Sequence, residues 1–179
     1  RREKDWSAVA ADAGEAVRGA KVRRAIALCG PVVFDFMTAE AETERDWEWS
    51  FHAIGRFEAD RQGRPVTLPP PVVPPAGIRP DVTDGRESWN WTRNIREASH
   101  DGAWRAKWTT GRSVLSACQR VSSAGTLRTA DADGLIGDKG PNPLALVGSR
   151  VRGRTAVFAT VLTMVVIPVN YALIFRVRK

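Results

Sequence analysis

The chain has 179 residues, of which 27 are Lys or Arg and 20 are Asp or Glu, giving a formal net charge of +7 with 43% hydrophobic residues. This length allows about one ordinary domain. All charged residues after Ser149 are cations, so the first 149 residues carry a net charge of only +1. So small a charge argues against binding along a phosphate backbone, and no nucleic-acid partner is expected.

Residues 1–64 are predicted to form a helical N-terminal region. A first helix is expected over residues 5–28, where apolar residues recur at helical spacing before Gly30-Pro31 ends the run. A second is expected over residues 38–61, with an acidic run as its solvated face. The apolar positions of the first helix are Trp6, Val9, Ala10, Ala13, Val17 and Ala20, and the acidic run comprises Glu40, Glu42, Glu44, Asp46 and Glu48.

Residues 65–80 contain seven of the eleven prolines and are predicted to be an extended strap. The strap could dock on an aromatic groove of a partner protein or serve as a stiff connector across a neighbouring surface. The chain also has seven tryptophans, which suit core or interface packing. The candidate protein interface therefore comprises Trp47, Trp49, Trp89, Trp91, Pro70, Pro71 and Pro74.

Residues 81–121 are predicted to be a Trp-rich helical region, with helices near residues 89–99 and 103–121. Residues 122–154 combine glycine, proline and small polar residues with little periodicity, which predicts an irregular connector.

Residues 155–175 form an uncharged stretch of 21 residues, TAVFATVLTMVVIPVNYALIF. A helix of that length spans about 31 Å, which matches a bilayer core of about 30 Å. This predicts a single transmembrane helix, followed by a cationic tail over residues 176–179. The expected fold class is thus mainly α, with extended Pro-rich and irregular segments and one C-terminal membrane span.

Two sets of residues support the membrane prediction. Small residues in the span would let another helix approach closely, while its proline and asparagine favour a protein neighbour. The packing set comprises Ala156, Ala159, Thr160, Thr163, Pro168 and Asn170. The membrane-flanking cations are Arg150, Arg152 and Arg154 before the span and Arg176, Arg178 and Lys179 after it, and because the two groups are equal they do not fix the orientation.

No catalytic, cofactor-binding or metal site is predicted. Ser99-His100-Asp101 contains triad residue types, but adjacent side chains rarely point at one another. A calcium-loop register through Asp131 and Asp133 fails because both of its end positions are wrong. Cys29 and Cys118 form no metal or redox motif, and both a disulfide and two free thiols remain open.

A small helical part, a proline-rich strap, an irregular approach and one span with a short cationic tail resemble, in layout, the supernumerary single-span subunits of mitochondrial respiratory-chain complexes. The resemblance implies a non-catalytic accessory subunit that lacks cofactors and small-molecule substrates and stabilises other subunits in the inner membrane. Two alternatives share these features: a tail-anchored adaptor that recruits a partner through the Pro-rich segment, and an accessory subunit of a photosynthetic membrane complex.

Overall fold

A computed structural model describes residues 6–14, 19–68, 89, 92–111, 113–137 and 140–166. These residues form ten β-strands joined in one antiparallel sheet. The strands are β1 (Trp6–Asp12), β2 (Ala20–Cys29), β3 (Val32–Ile54), β4 (Arg56–Ala59), β5 (Arg64–Pro65), β6 (Arg93–His100), β7 (Ala103–Thr110), β8 (Ser113–Val121), β9 (Gly125–Gly137) and β10 (Gly140–Val166).

The mainly-α prediction is therefore wrong. Strands β1 to β4 replace the helices expected over residues 5–28 and 38–61, and β6 to β8 replace those expected over residues 89–121. The expected irregular connector over residues 122–154 lies largely in β9 and the first part of β10. The Pro-rich strap beyond Leu68 lies outside the described residues.

The predicted membrane helix is also contradicted. Residues 155–166 continue strand β10, and residues 167–175 lie outside the described part of the chain. No helix among the described residues is long and apolar enough to cross a membrane. The single-pass, inner-membrane localisation was inferred from that helix and is therefore contradicted as well.

Two long strands organise the sheet. Strand β10 pairs with β3 along most of its length on one side, while its other side pairs first with β9 and then with β8. The order in one part of the sheet is β1-β2-β3-β10-β8-β7-β4, and in the other it is β3-β10-β9-β6-β5. The β3–β10 register shifts between Gly153 and Thr155, whose partners on β3 are Arg45 and Glu40. A bulge of this kind bends a strand pair.

The bent sheet folds back so that its two parts bury a shared aromatic core. The Trp49 ring on the late part of β3 lies 6.1 Å from the Trp104 ring on β7, and Phe51 lies 5.4 Å from Trp108 edge to face. Strand alternation explains this packing, because Trp104, Ala106 and Trp108 point inward while Arg105 and Lys107 point outward.

Candidate interaction surface

The acidic run of β3 lies beside the arginines that the sequence suggested were membrane-flanking. In the β3–β10 register Glu48 faces Arg150 and Asp46 faces Arg152. The Arg150 guanidinium reaches Asp46 at 2.7 Å, and Arg152 reaches Glu44 at 3.6 Å. These two cations are thus matched by carboxylates of the adjacent strand. Arg154 is exposed on β10, and the cations of residues 176–179 lie outside the described residues.

The proposed helix-packing residues occupy both faces of β10. Ala156 and Thr160 are buried, whereas Ala159 and Thr163 have the opposite parity and are partly exposed. Period-two alternation thus separates residues that a helix would have grouped. Pro168 and Asn170 lie outside the described residues.

A buried carboxylate on β3 joins strand β2 to a distant part of β3. Asp35 is 4% exposed and accepts hydrogen bonds from Arg24 Nε at 2.8 Å and from Trp49 Nε1 at 2.9 Å. The second Arg24 nitrogen closes a bidentate pair, and the carboxylate raises the pKa of Arg24. The inward side of β3 is therefore polar at this position, with its hydrogen bonds satisfied.

A second cluster covers the outer side of β9 and the early part of β10. Trp89 is 2% exposed and packs with Ala130, Ala132 and Leu146. Its indole nitrogen donates to Glu48 Oε1 at 2.7 Å, and the Arg128 guanidinium lies 5.2 Å from its ring centroid.

The charged groups of this cluster pair with one another inside the chain. Arg128 is buried and pairs with Glu97 at 2.6 Å. Burial raises the pKa of Glu48 despite the nearby Trp89 and Arg128. Gly148 packs closely under the Trp89 ring, because a methyl group added at Gly148 would lie only 2.6 Å from Trp89 Cζ2. Trp89 therefore covers this face of the sheet and packs tightly against it.

His100, from the triad-like run Ser99-His100-Asp101, lies near a hydroxyl from another strand. Its Nδ1 accepts the Gly102 backbone N–H at 3.2 Å, and its Nε2 lies 3.3 Å from Ser149 Oγ. Because Nδ1 accepts, the neutral ring carries its proton on Nε2 and donates to Ser149. Burial lowers the pKa of His100, which favours this neutral form. A general base would need the opposite tautomer, so this geometry stabilises the core and does not activate Ser149.

The remaining candidates from the sequence are a metal site and a disulfide. No group of three His, Cys, Asp or Glu side chains there could hold a metal ion. Cys29 and Cys118 are both free thiols, which settles the open question of a disulfide between them.

Aromatic side chains cover the outward face of β1 and β3. Trp6, Phe34 and Phe36 are 58%, 40% and 46% exposed, and the Trp6 and Phe34 rings stack with centroids 6.0 Å apart. We call these three residues the aromatic face. Beside it a shallow hollow of about 450 Å³ is lined by Ala10, Ala25, Phe36 and Thr38, with the Asp12–Arg23 ion pair at one end.

The β1–β2 hairpin also exposes apolar side chains on its other face. Val9 is 64% exposed and Leu28 is 45% exposed. Within the described residues β1 pairs only with β2, so its outer edge is open. An apolar edge strand without proline or lysine is a ready template for pairing with another strand.

The candidate interface residues from the sequence lie elsewhere. Trp47, Trp49 and Trp89 are buried within this chain. Trp91 and the prolines Pro70, Pro71 and Pro74 lie outside the described residues. The structure instead exposes Trp6, Phe34 and Phe36, which the sequence did not predict as interface residues. The alternation of Phe34 and Phe36 around Asp35 was the signal that could have identified a strand here.

Comparison with known proteins supplies no family for this fold. No protein-family model matches the chain, and a search of curated proteins finds no match.

Proposed function

We propose that this chain is a non-catalytic structural subunit of a protein assembly, in which the aromatic face packs against an apolar surface of another polypeptide. The observation that carries the proposal is the exposure of Trp6, Phe34 and Phe36 together on one face of β1 and β3, with β2 between them. Single exposed apolar residues need no explanation, but a contiguous group beside an open strand edge is typical of a protein interaction site.

The interior arrangement supports a structural role. The buried polar groups Asp35, Gln119 and Arg128 all have partners within the chain. Gln119, for example, accepts from Trp104 Nε1 at 2.9 Å and donates to Thr160 Oγ1 at 2.8 Å. Such satisfied networks fix strand register and hold a surface rigid. We keep the accessory-subunit role expected from the sequence, but we no longer place the chain in a membrane or in a particular organelle.

Hydroxyl-radical footprinting tests the proposal. The full chain would be oxidised in its native cell extract and again after purification and dilution, and modification of each residue would be measured by mass spectrometry. We expect Trp6, Phe34 and Phe36 to be several-fold less modified in the extract, because another polypeptide covers them. Met164, which is 51% exposed on the opposite face of the sheet, is the internal control and should react equally in both samples.

Equal modification of the aromatic face in extract and diluted protein would contradict the proposal. Protection of Met164 to the same degree would also count against it, because general shielding would then explain the result.

A further inference from the structure

We infer that the open edge of β1 binds a second copy of the same chain, by antiparallel pairing of the two β1 edges around a two-fold axis at Val9. The inference goes beyond the proposed function, because edge pairing extends the sheet and leaves Phe34 and Phe36, two strands away on β3, to the partner proposed above.

The register of the hairpin decides which groups of β1 are free. Ala13 N donates to Val22 O at 2.8 Å, so residues 13 and 22 form a hydrogen-bonded pair. Antiparallel ladders alternate, so Trp6, Ala8, Ala10 and Asp12 turn their N–H and C=O groups away from β2. These groups lie at alternate positions along one edge, which is the pattern that another strand would need.

A two-fold axis at Val9 uses all four positions. Ala8 of one copy would then pair with Ala10 of the other, and Trp6 with Asp12, giving up to about eight backbone hydrogen bonds. Isologous pairing of this kind closes after two copies and does not propagate. The side chains nearest the axis are Ala8, Val9 and Ala10, which are small or apolar and already exposed.

In the same register Trp6, the largest exposed side chain, would lie near a hollow on the other copy. Trp6 of one copy would lie opposite Asp12 and diagonal to Ala10 of the other, at the rim of the hollow lined by Ala25 and Phe36. Diagonal neighbours lie about 7–8 Å apart, within reach of an indole ring. The arrangement occurs twice by symmetry, so each copy would supply one ring and one hollow.

The charges of the edge are compatible with this pairing. Asp12 is the one charged residue of β1, and it already pairs with Arg23 at 2.9 Å. In the two-fold register the two Asp12 carboxylates would stand at opposite ends of the new ladder, about 20 Å apart. Like charges therefore do not meet across the axis.

Cysteine cross-linking tests the register directly, in a full-length background carrying Cys29→Ala and Cys118→Ala. Val9→Cys would face itself in a non-hydrogen-bonded pair with Cα atoms about 4.5 Å apart, which a disulfide can bridge. Ser7→Cys is the matched control, since it would face Ala11 of the other copy and lie about 13 Å from its own counterpart. We expect mild oxidation to give a covalent dimer at least about tenfold faster with Val9→Cys, because disulfides form only within a narrow distance range.

Sedimentation of variants without new cysteines provides the second readout. Val9→Lys places two cations on the axis and should make the chain monomeric, whereas Leu28→Lys adds the same charge on the same face one strand away and should leave the dimer intact. Circular dichroism would establish that both variants remain folded.

Equal cross-linking of the two cysteine variants, or a wild-type chain that sediments as a monomer, would overturn the inference. The proposed function is tested separately, because protection of Phe34 and Phe36 in the native extract does not depend on pairing of the β1 edges. If those rings were unprotected there as well, both would fail.

Discussion

Removal of Arg24 should destabilise the fold more than removal of the Asp35 carboxylate, to which Arg24 donates its hydrogen bonds. Arg24→Met leaves the Asp35 carboxylate, 4% exposed, with Trp49 Nε1 as its remaining side-chain donor. Breaking a buried ion pair by removing one partner costs about 3–5 kcal/mol. Because the Arg24 side chain is 45% exposed, water can partly replace it, so the low end of that range, about 3 kcal/mol, applies.

Removal of the acid has a different cost. Asp35→Ala leaves the buried Trp49 N–H without its acceptor, at about 1–3 kcal/mol, while Arg24 is free to turn toward solvent. The double variant contains no buried carboxylate, so it should cost about as much as Asp35→Ala alone. The two substitutions are therefore expected to be non-additive by about 3 kcal/mol.

Urea unfolding followed by tryptophan fluorescence measures these free energies, with a constant m-value as the check on two-state behaviour. Arg23→Met is the matched control. It removes the adjacent arginine, whose pair with Asp12 is largely exposed, so its loss should change the free energy of unfolding little. The reasoning is refuted if Arg24→Met costs less than about 1 kcal/mol or if the double variant is additive.

Two further predictions concern the buried histidine and the parity of β10. Because burial lowers the pKa of His100, the unfolded chain binds that proton more readily, so this stability is complete above the unfolded pKa of about 6.5 and falls as the pH drops below it. Urea midpoints at pH 7.5 and 5 should therefore differ less in His100→Gln than in the wild type, and an equal difference would exclude this role. Ala156→Asp should prevent folding, because Ala156 is 1% exposed, whereas Ala159→Asp should leave a folded chain by circular dichroism. Equal tolerance of the two would contradict the strand.

The sequence predicted little of the fold. The low charge of the first 149 residues and the lack of a recognisable catalytic motif are properties of the sequence itself, and the expected absence of a catalytic site stays a prediction. The strands were harder to see, since β1 and β2 are rich in alanine, which provides little contrast between the two faces of a strand. Over such segments the occasional larger residue can fit a helical period by chance.

The prediction of a membrane helix from the uncharged stretch that begins at Thr155 failed for a different reason. A run of that length matches a membrane helix, but it also suits a strand covered on one side by a core and flanked by other strands on both edges. Its threonines and valines, such as Val157, Thr160 and Val161, favour the strand. The preceding arginines could not be assigned from sequence, because their partners Glu44 and Asp46 lie more than 100 residues earlier in the chain.

The segment Phe34-Asp35-Phe36 carries the clearest link between the fold and the proposed assembly. A strand on a monomer surface normally turns apolar residues inward and polar residues outward. Here the carboxylate points inward, where Arg24 and Trp49 bind it, and both phenyl rings point outward. The pattern is unfavourable for an isolated chain, since each ring, 40–46% exposed, forgoes roughly two-fifths of the about 1.5–3 kcal/mol available from full burial. A partner that covers the aromatic face would recover part of that free energy, and the footprinting of Phe34 and Phe36 measures whether it does.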